Sequence, residues 1–299
     1  MKIDKENDLI GFNEDDHKYI IKDTGESLIS VTTLIHEYAQ PFDEHYWSCV
    51  KALEELIGAT EFAKIKKDVY ASKKFNTKFV QLYDIPDELF IKKKTEILHN
   101  WENTRDEACD RGTKYHKMRE DLINGGSVEE VNYLKLGGKF KCYTDNKLKP
   151  GDKGIYPEIL LHYISPSGRL KLAGQADVLI IDGNSIQIMD FKTNKEIKKR
   201  GYFNATTKTT KKMKYPLTNV EDANYGHYIM QLSTYIYMVK QIDPSLTFGS
   251  STIIHYDHKG KTTYYDLPYL ETEVIKMLNH YESELVKKEQ YEKLKPFNY

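Results

Sequence analysis

Two apolar runs, Leu170–Ile181 and Ile186–Phe191, flank the tetrapeptide Asp182-Gly183-Asn184-Ser185. Such runs on either side of a Gly-Asn turn signal read as an antiparallel hairpin. With Gly183-Asn184 as a two-residue loop, Asp182 closes against Ser185, and the same register sets Asp177 opposite Asp190. A four-residue loop preserves that register and a three-residue loop breaks it. Directly opposed residues have Cβ atoms about 5 Å apart. Lys192 lies two positions beyond Asp190 and shares its face. The remaining neighbours are mainly apolar, with Leu179, Ile181, Ile186 and Ile188 on one face and Val178, Ile180, Met189 and Phe191 on the other. A hairpin buried on both faces carries two adjacent acids only if something neutralises them, and a divalent cation bridging their oxygens does so. The plainer alternative puts both acids at solvated strand ends, with Lys192 as an ion-pair partner.

Around this hairpin the period of the apolar pattern changes along the chain. Residues 9–34 read as a hairpin leading into a helix, with Tyr19–Ile21 as one strand, Asp23-Thr24-Gly25 as the turn, and Ser30 or Thr32 as the helix cap. Residues 46–73 read as a helix, and 86–124 as one or two more, stopped by Asn124-Gly125-Gly126. Tyr156–Ile164 is an apolar run broken by Glu158 and His162. Helical spacing returns over 224–241, a strand follows over 251–255, and a last helix runs over 269–288. The expected fold is α/β, with a mainly helical extension over 1–100 and a core over 101–299. The three cysteines are widely spaced, which suits a reducing, cytoplasmic setting and argues against a disulfide framework. No apolar run reaches the roughly 18 residues that a membrane span needs.

Asp177 with Asp190-Phe191-Lys192 resembles the signature of the PD-(D/E)XK nuclease superfamily. Arg111-Gly112-Thr113-Lys114-Tyr115-His116-Lys117-Met118-Arg119-Glu120 resembles the G-T-x-x-H-x-x-x-E helix of its RecB-like exonucleases. Glu158 stands where that group has a strand glutamate, and Gln231-Leu232-Ser233-Thr234-Tyr235 is similar to its Q-x-x-x-Y motif. The segment His17–Thr33 is similar to the start of phage-type and mitochondrial genome-maintenance exonucleases. The resemblance covers roughly residues 108–240. It implies a restriction-endonuclease-like core, a central mixed sheet flanked by helices. It also implies a metal-dependent deoxyribonuclease that hydrolyses phosphodiester bonds from DNA ends, in phage recombination, repair or replication.

By the same resemblance, His116, Asp177, Asp190 and the Phe191 carbonyl would bind one or two Mg²⁺ or Mn²⁺ ions, with Glu158 completing or supporting the set. Lys192 would orient the attacking water and offset phosphate charge. Thr113, Gln231 and Tyr235 would lie against the DNA strand. Some relatives carry an iron–sulfur cluster held by C-terminal cysteines; no Cys follows Cys142, so none is expected here. The implied setting is the cytoplasm, that of the host for a phage-encoded chain, with a recombination or replication protein as a further partner. Oligomeric state is left open, since relatives include monomers and rings. Two rivals stand beside this reading: a structure-selective endonuclease on the same core, and a non-catalytic DNA-binding or virion component.

Overall charge is nearly balanced, 44 Lys plus Arg against 45 Asp plus Glu, which excludes binding nucleic acid through bulk positive charge. The charge is unevenly spread, however. Residues 195–214 hold Lys195, Lys198, Lys199, Arg200, Lys208, Lys211, Lys212 and Lys214 against Glu196 alone. Tyr202 and Phe203 interleave with them. This segment is expected to be a mobile loop, read either as a plain solvated surface loop or as one that contacts phosphates without reading sequence, especially through Lys198, Lys199, Arg200, Lys211 and Lys212. Lysine outnumbers arginine heavily, which suits point-charge contact to phosphate over base reading.

Overall fold

A computed structural model describes residues 2–72, 74–124, 142–204 and 208–294. The chain is α/β and divides into two compact units, residues 1–40 with 114–299, and residues 41–113. Gly125 and Gly126 of the expected helix stop, and 205–207 of the basic segment, lie outside the described residues.

The first unit is built on a mixed sheet. Four short strands, β1 (Lys5–Glu6), β2 (Ile10–Asn13), β3 (Lys18–Ile21) and β4 (Ser27–Ser30), form an antiparallel meander. Ser30 then caps α1 (Val31–Tyr38), its Oγ accepting from the Thr33 N–H. After the second unit come β5 (Gly154–Ile164), β6 (Lys171–Asp182) and β7 (Ser185–Lys192). A small hairpin, β8 (Phe203–Asn204) and β9 (Thr209–Thr210), precedes the helix α6 (Asn224–Ile242). The unit ends with β10 (Thr247–Tyr256), β11 (Thr262–Asp266) and α7 (Glu271–Leu294).

The two faces expected for the β6–β7 hairpin enter different cores. Leu179, Ile181, Ile186 and Ile188 pack with Leu34 of α1, Leu232 and Ile236 of α6, and Met277 of α7. Val178, Ile180, Met189 and Phe191 pack with Tyr115 and Ile123. Each fully buried aliphatic side chain contributes about 1.5–3 kcal/mol. These layers therefore hold the central strands far more firmly than the exposed ion pairs do.

The second unit is helical, with α2 (Glu44–Ile57), α3 (Ala59–Ala71), α4 (Lys78–Leu82) and the start of α5 (Asp87–Asn124). The single helix expected over 46–73 is two, because Gly58 adopts a φ of 82° that ends one and begins the next. Tyr46, Cys49, Val50 and Leu53 of α2 meet Phe62 and Val69 of α3. The Tyr46 hydroxyl also donates to the Val69 carbonyl at 2.9 Å.

The domain boundary expected at residue 100 needs correction. The N-terminal hairpin is part of the sheet unit, because β4 pairs in parallel with β6 at Ile29↔Leu172 and Ser30↔Ala173. Helical periodicity cannot reveal this pairing, which joins residues some 140 positions apart in sequence. Strand β11, which the sequence reading missed, pairs with β10 in an antiparallel ladder. Among the described residues, no helix is long and apolar enough to cross a membrane.

One close contact is testable. A Cβ on Gly174 would lie 2.5 Å from Tyr235 Cε1, and that ring is buried against the strand. Gly174→Ala should lower unfolding free energy by about 1–3 kcal/mol, read by chemical denaturation. An unchanged midpoint would show that the ring is not held there.

Candidate metal centre

The site forms where the central sheet forks. Strand β5 pairs with β6 along nearly its whole length. The opposite edge of β6 is shared, β4 pairing at residues 172–173 and β7 at residues 178–182. Between them, residues 174–177 have no strand on that edge among the described residues, and Asp177 lies at this opening.

The expected hairpin register is present. Asp182 pairs with Ser185 and Val178 with Met189, so Asp177 and Asp190 occupy the next rung. The backbone ladder stops there. In its place the Phe191 N–H donates to Asp177 Oδ2 at 2.6 Å. A side-chain acceptor thus replaces the backbone carbonyl, which fixes the Asp177 carboxylate.

Glu158 occupies the corresponding rung on the other side. Pro157 pairs with Val178 and Ile159 with Ala176, so Glu158 faces Asp177 across β5 and β6 without backbone pairing. Its φ is 51°, a left-handed conformation that is uncommon for a glutamate. The pleat inverts at this rung. Tyr156 and Leu179 before it, and Ile159 and Ala176 after it, all face the same core, although a regular pleat would alternate them. Three acids, Glu158, Asp177 and Asp190, therefore lie in one row across three adjacent strands.

The flanking elements supply the remaining groups. His116 of α5 places Nδ1 3.3 Å from Asp177 Oδ2. Lys192 pairs with Asp190 Oδ2, and its ammonium lies 5.0 Å from the centre of the Tyr228 ring. Gln231 donates to Asp190 Oδ1 at 3.4 Å and meets the Tyr235 hydroxyl at 3.4 Å. Gln175 donates to Glu158 Oε2 at 2.6 Å. The sequence reading missed Gln175, although its place two residues before Asp177 on an inward-facing strand was a signal for it.

His116, Glu158 and Asp177 each offer a ligand atom, and these atoms all lie within 4.8 Å of one another. One imidazole and two carboxylates make a donor set that suits Mg²⁺ and accepts Mn²⁺ readily. Asp190 is next in the row and is tied to Lys192. Asp177 and Asp190 are only 7% and 1% exposed, so the row concentrates negative charge in a place water does not screen. The residues thus fit a divalent cation. The Phe191 carbonyl is on the same strand, immediately after Asp190.

Other expected contacts are placed differently. Tyr235 is 3% exposed and packs beneath Gly174, while Gln231 is 9% exposed and turned to Asp190. Gln231 thus reaches the acid row, and Tyr235 meets Gln231. Thr113 falls in the helical unit, where its hydroxyl donates to the Cys109 carbonyl one turn back. Several described residues of the basic segment are less free than a mobile loop would leave them. Lys211 pairs with Asp222 at 3.1 Å, Lys212 with Glu221 at 2.5 Å, and Lys198 with Glu196 at 3.3 Å. Lys199 lies over the rings of Tyr225 and Tyr265. Arg200 is exposed, as are Tyr202 and Phe203.

The protonation of the metal-free site follows from burial and crowding. Burial and the neighbouring Asp177 charge push Glu158 up to about 8. The same two causes raise Asp190 to about 6. Burial opposes a charged His116, but Asp177 outweighs it and raises the imidazole to about 9. Burial also works against Asp177 ionisation, yet His116, Lys192 and the Phe191 N–H hold it below the usual range. Burial disfavours the Lys192 charge, and Asp190 and Asp177 more than restore it.

Glu158, Asp190 and His116 thus all hold protons more tightly when folded. Their contribution to stability is complete below the unfolded values and is lost as pH rises through the folded ones. The metal-free protein should lose Tm between about pH 4 and 9 on this account. Glu158→Gln should flatten the part of that fall lying between about 4.5 and 8. Parallel Tm–pH curves for the two proteins would show that Glu158 is not perturbed.

No protein-family model and no curated protein matches the sequence. Among solved structures, the chain titled "Crystal structure of SSO0001" is similar at 14% identity and a TM-score of 0.34, over 86% of this chain and 76% of that one. A likeness that loose carries no argument about function.

Proposed function

We propose that the protein is a divalent-cation-dependent deoxyribonuclease of the PD-(D/E)XK type, hydrolysing phosphodiester bonds from DNA ends with little sequence preference. The observation that carries this reading is the row of Glu158, Asp177 and Asp190 at the fork of the sheet, with His116 at one end and Lys192 at the other. Structural ion pairs alone do not call for three acids side by side, two of them buried, at a break in two ladders.

In this reading His116, Glu158 and Asp177 hold the cation, and Asp190 with the Phe191 carbonyl completes its surroundings. A bound divalent cation supplies Lewis acidity toward a phosphoryl oxygen and makes water a better nucleophile at neutral pH. Lys192 is held protonated beside Asp190, so it offers a donor to the phosphate or to the attacking water and offsets charge that grows there. Gln231 fixes the Asp190 carboxylate through Oδ1, leaving Oδ2 to Lys192. The Phe191 N–H and His116 fix Asp177 in the same way. The cations of 195–214 follow directly after β7 and would meet the phosphate backbone.

Mn²⁺ or Mg²⁺ should support digestion of linear DNA, and chelation should abolish it. Asp190→Asn and Lys192→Ala should each cut the rate about a hundredfold or more. Their folding is checked by Tm. Absence of digestion by the wild type with either ion would end the enzyme reading. Cleavage of covalently closed circles would replace the exonuclease with an endonuclease. A second measurement concerns the basic segment: neutralising Lys198, Lys199 and Arg200 together should make the salt dependence of DNA binding shallower, by about 0.7–0.9 in log–log slope for every phosphate no longer neutralised. An unchanged slope would remove these residues from the binding surface.

A further inference from the structure

Glu158 has a second cationic neighbour, from an unexpected part of the chain. Lys5 of β1 places Nζ 3.7 Å from Glu158 Oε2, 3.7 Å from Glu120 Oε1 and 3.5 Å from Glu14 Oε1. Its side chain is 20% exposed, while the Glu120 and Glu158 side chains are 16% and 14% exposed. Glu14 is the solvated member of the group at 54%.

The stem of Lys5 is held firmly. Lys5 pairs with Phe12 in the β1–β2 ladder, and the neighbouring Asp4 N–H donates to the Phe12 carbonyl at 2.9 Å. Just beyond the strand, the buried Asn7 donates to the Leu160 carbonyl at 3.2 Å, two residues past Glu158. The strand that carries Lys5 is thus tied to the strand that carries Glu158.

Glu158 needs such a hold. Its rung has no backbone pairing on β6, its φ is left-handed, and the Asp177 carboxylate opposite repels it. It also has somewhere to go. A cavity of about 290 Å³ opens beside it, lined by Asp4, Lys5, Glu120, Asn146 and Pro157 among others. Gln175 and Lys5 both act on Oε2, so the carboxylate has two fixed partners beside the repelling Asp177.

We propose that Lys5 is a positioning residue of the metal centre, a charge built into the first strand that keeps Glu158 aligned with His116 and Asp177 for cation binding. This rests on the metal-centre reading above. It makes a prediction of sign. If Lys5 acted only as a nearby positive charge, removing it would tighten binding of a divalent cation. If Lys5 positions Glu158, removing it weakens binding, as loss of groups that orient metal ligands does by about 10–100-fold.

The test is isothermal titration of Mn²⁺ into the full metal-free chain, with Tm recorded for each protein. Lys5→Met should weaken Mn²⁺ binding about tenfold or more. Lys5→Arg, which keeps the charge and the reach, should restore most of it. Glu14→Gln should bind as the wild type does. Lys5→Gln retains a polar side chain without the charge and gives a second reading if the Met variant folds poorly. Equal or tighter binding by the uncharged variants overturns the proposal and leaves the nuclease reading intact. Mn²⁺ binding by the wild type without DNA hydrolysis overturns the nuclease reading while the Lys5 comparison still stands. No Mn²⁺ binding by the wild type overturns both.

Discussion

Repulsion among three closely set carboxylates, two of them buried, is the constraint around which the sheet unit is arranged. Glu158, Asp177 and Asp190 come from successive strands and occupy one row, with Asp177 and Asp190 buried and Glu158 partly exposed at its edge. Each has a specific partner. Asp177 takes the Phe191 N–H and His116, Asp190 takes Lys192 and Gln231, and Glu158 takes Gln175 and Lys5. These partners come from β1, α5, β6, β7 and α6, so the row draws on almost every layer of the unit. The fork in the sheet provides room for it. Had β4 or β7 continued along β6, a neighbouring strand would have filled the opening at Asp177.

The helix α6 shows how packing and chemistry share one surface. Its apolar face, with Leu232, Ile236 and Val239, belongs to the main core. Tyr235 lies against the strand at Gly174, where the absence of a Cβ allows the ring to come close. That approach carries Gln231, one turn earlier on the same face, to Asp190. A larger residue at 174 would push the helix away and take Gln231 out of reach. A motif expected to touch nucleic acid therefore works on the acids from behind.

The β6–β7 register was legible because a tight turn leaves few alternatives, and Gly183-Asn184 names that turn. Both faces of the hairpin followed from that register. The place of Glu158 relative to Asp177 was not legible from the residues themselves. The β5–β6 connection spans 165–170, which fixes no register, and the pleat inverts at the glutamate, so alternation would have assigned the wrong faces. The second unit was hidden for another reason. Helical spacing continues through residues 44–124, and nothing local marks where the chain leaves one core for another. Lys5 was invisible because its partners, Glu120 and Glu158, are far away in sequence.

Charge was the least reliable guide when read as a total and the most useful when read in place. A near-zero net charge conceals an acidic row in the interior and a basic stretch just after β7. The stretch is partly neutralised by Glu221 and Asp222, which lie outside its sequence limits. That pairing fixes Lys211 and Lys212 against the entrance to α6, so they contribute shape more than free charge. Lys195, Arg200, Lys208 and Lys214 remain exposed on the same segment, with Tyr202 and Phe203 beside them. A flexible polycation would bind any polyanion through its total charge. The braced residues of the segment present fewer free cations, and the segment follows Lys192, which pairs with Asp190.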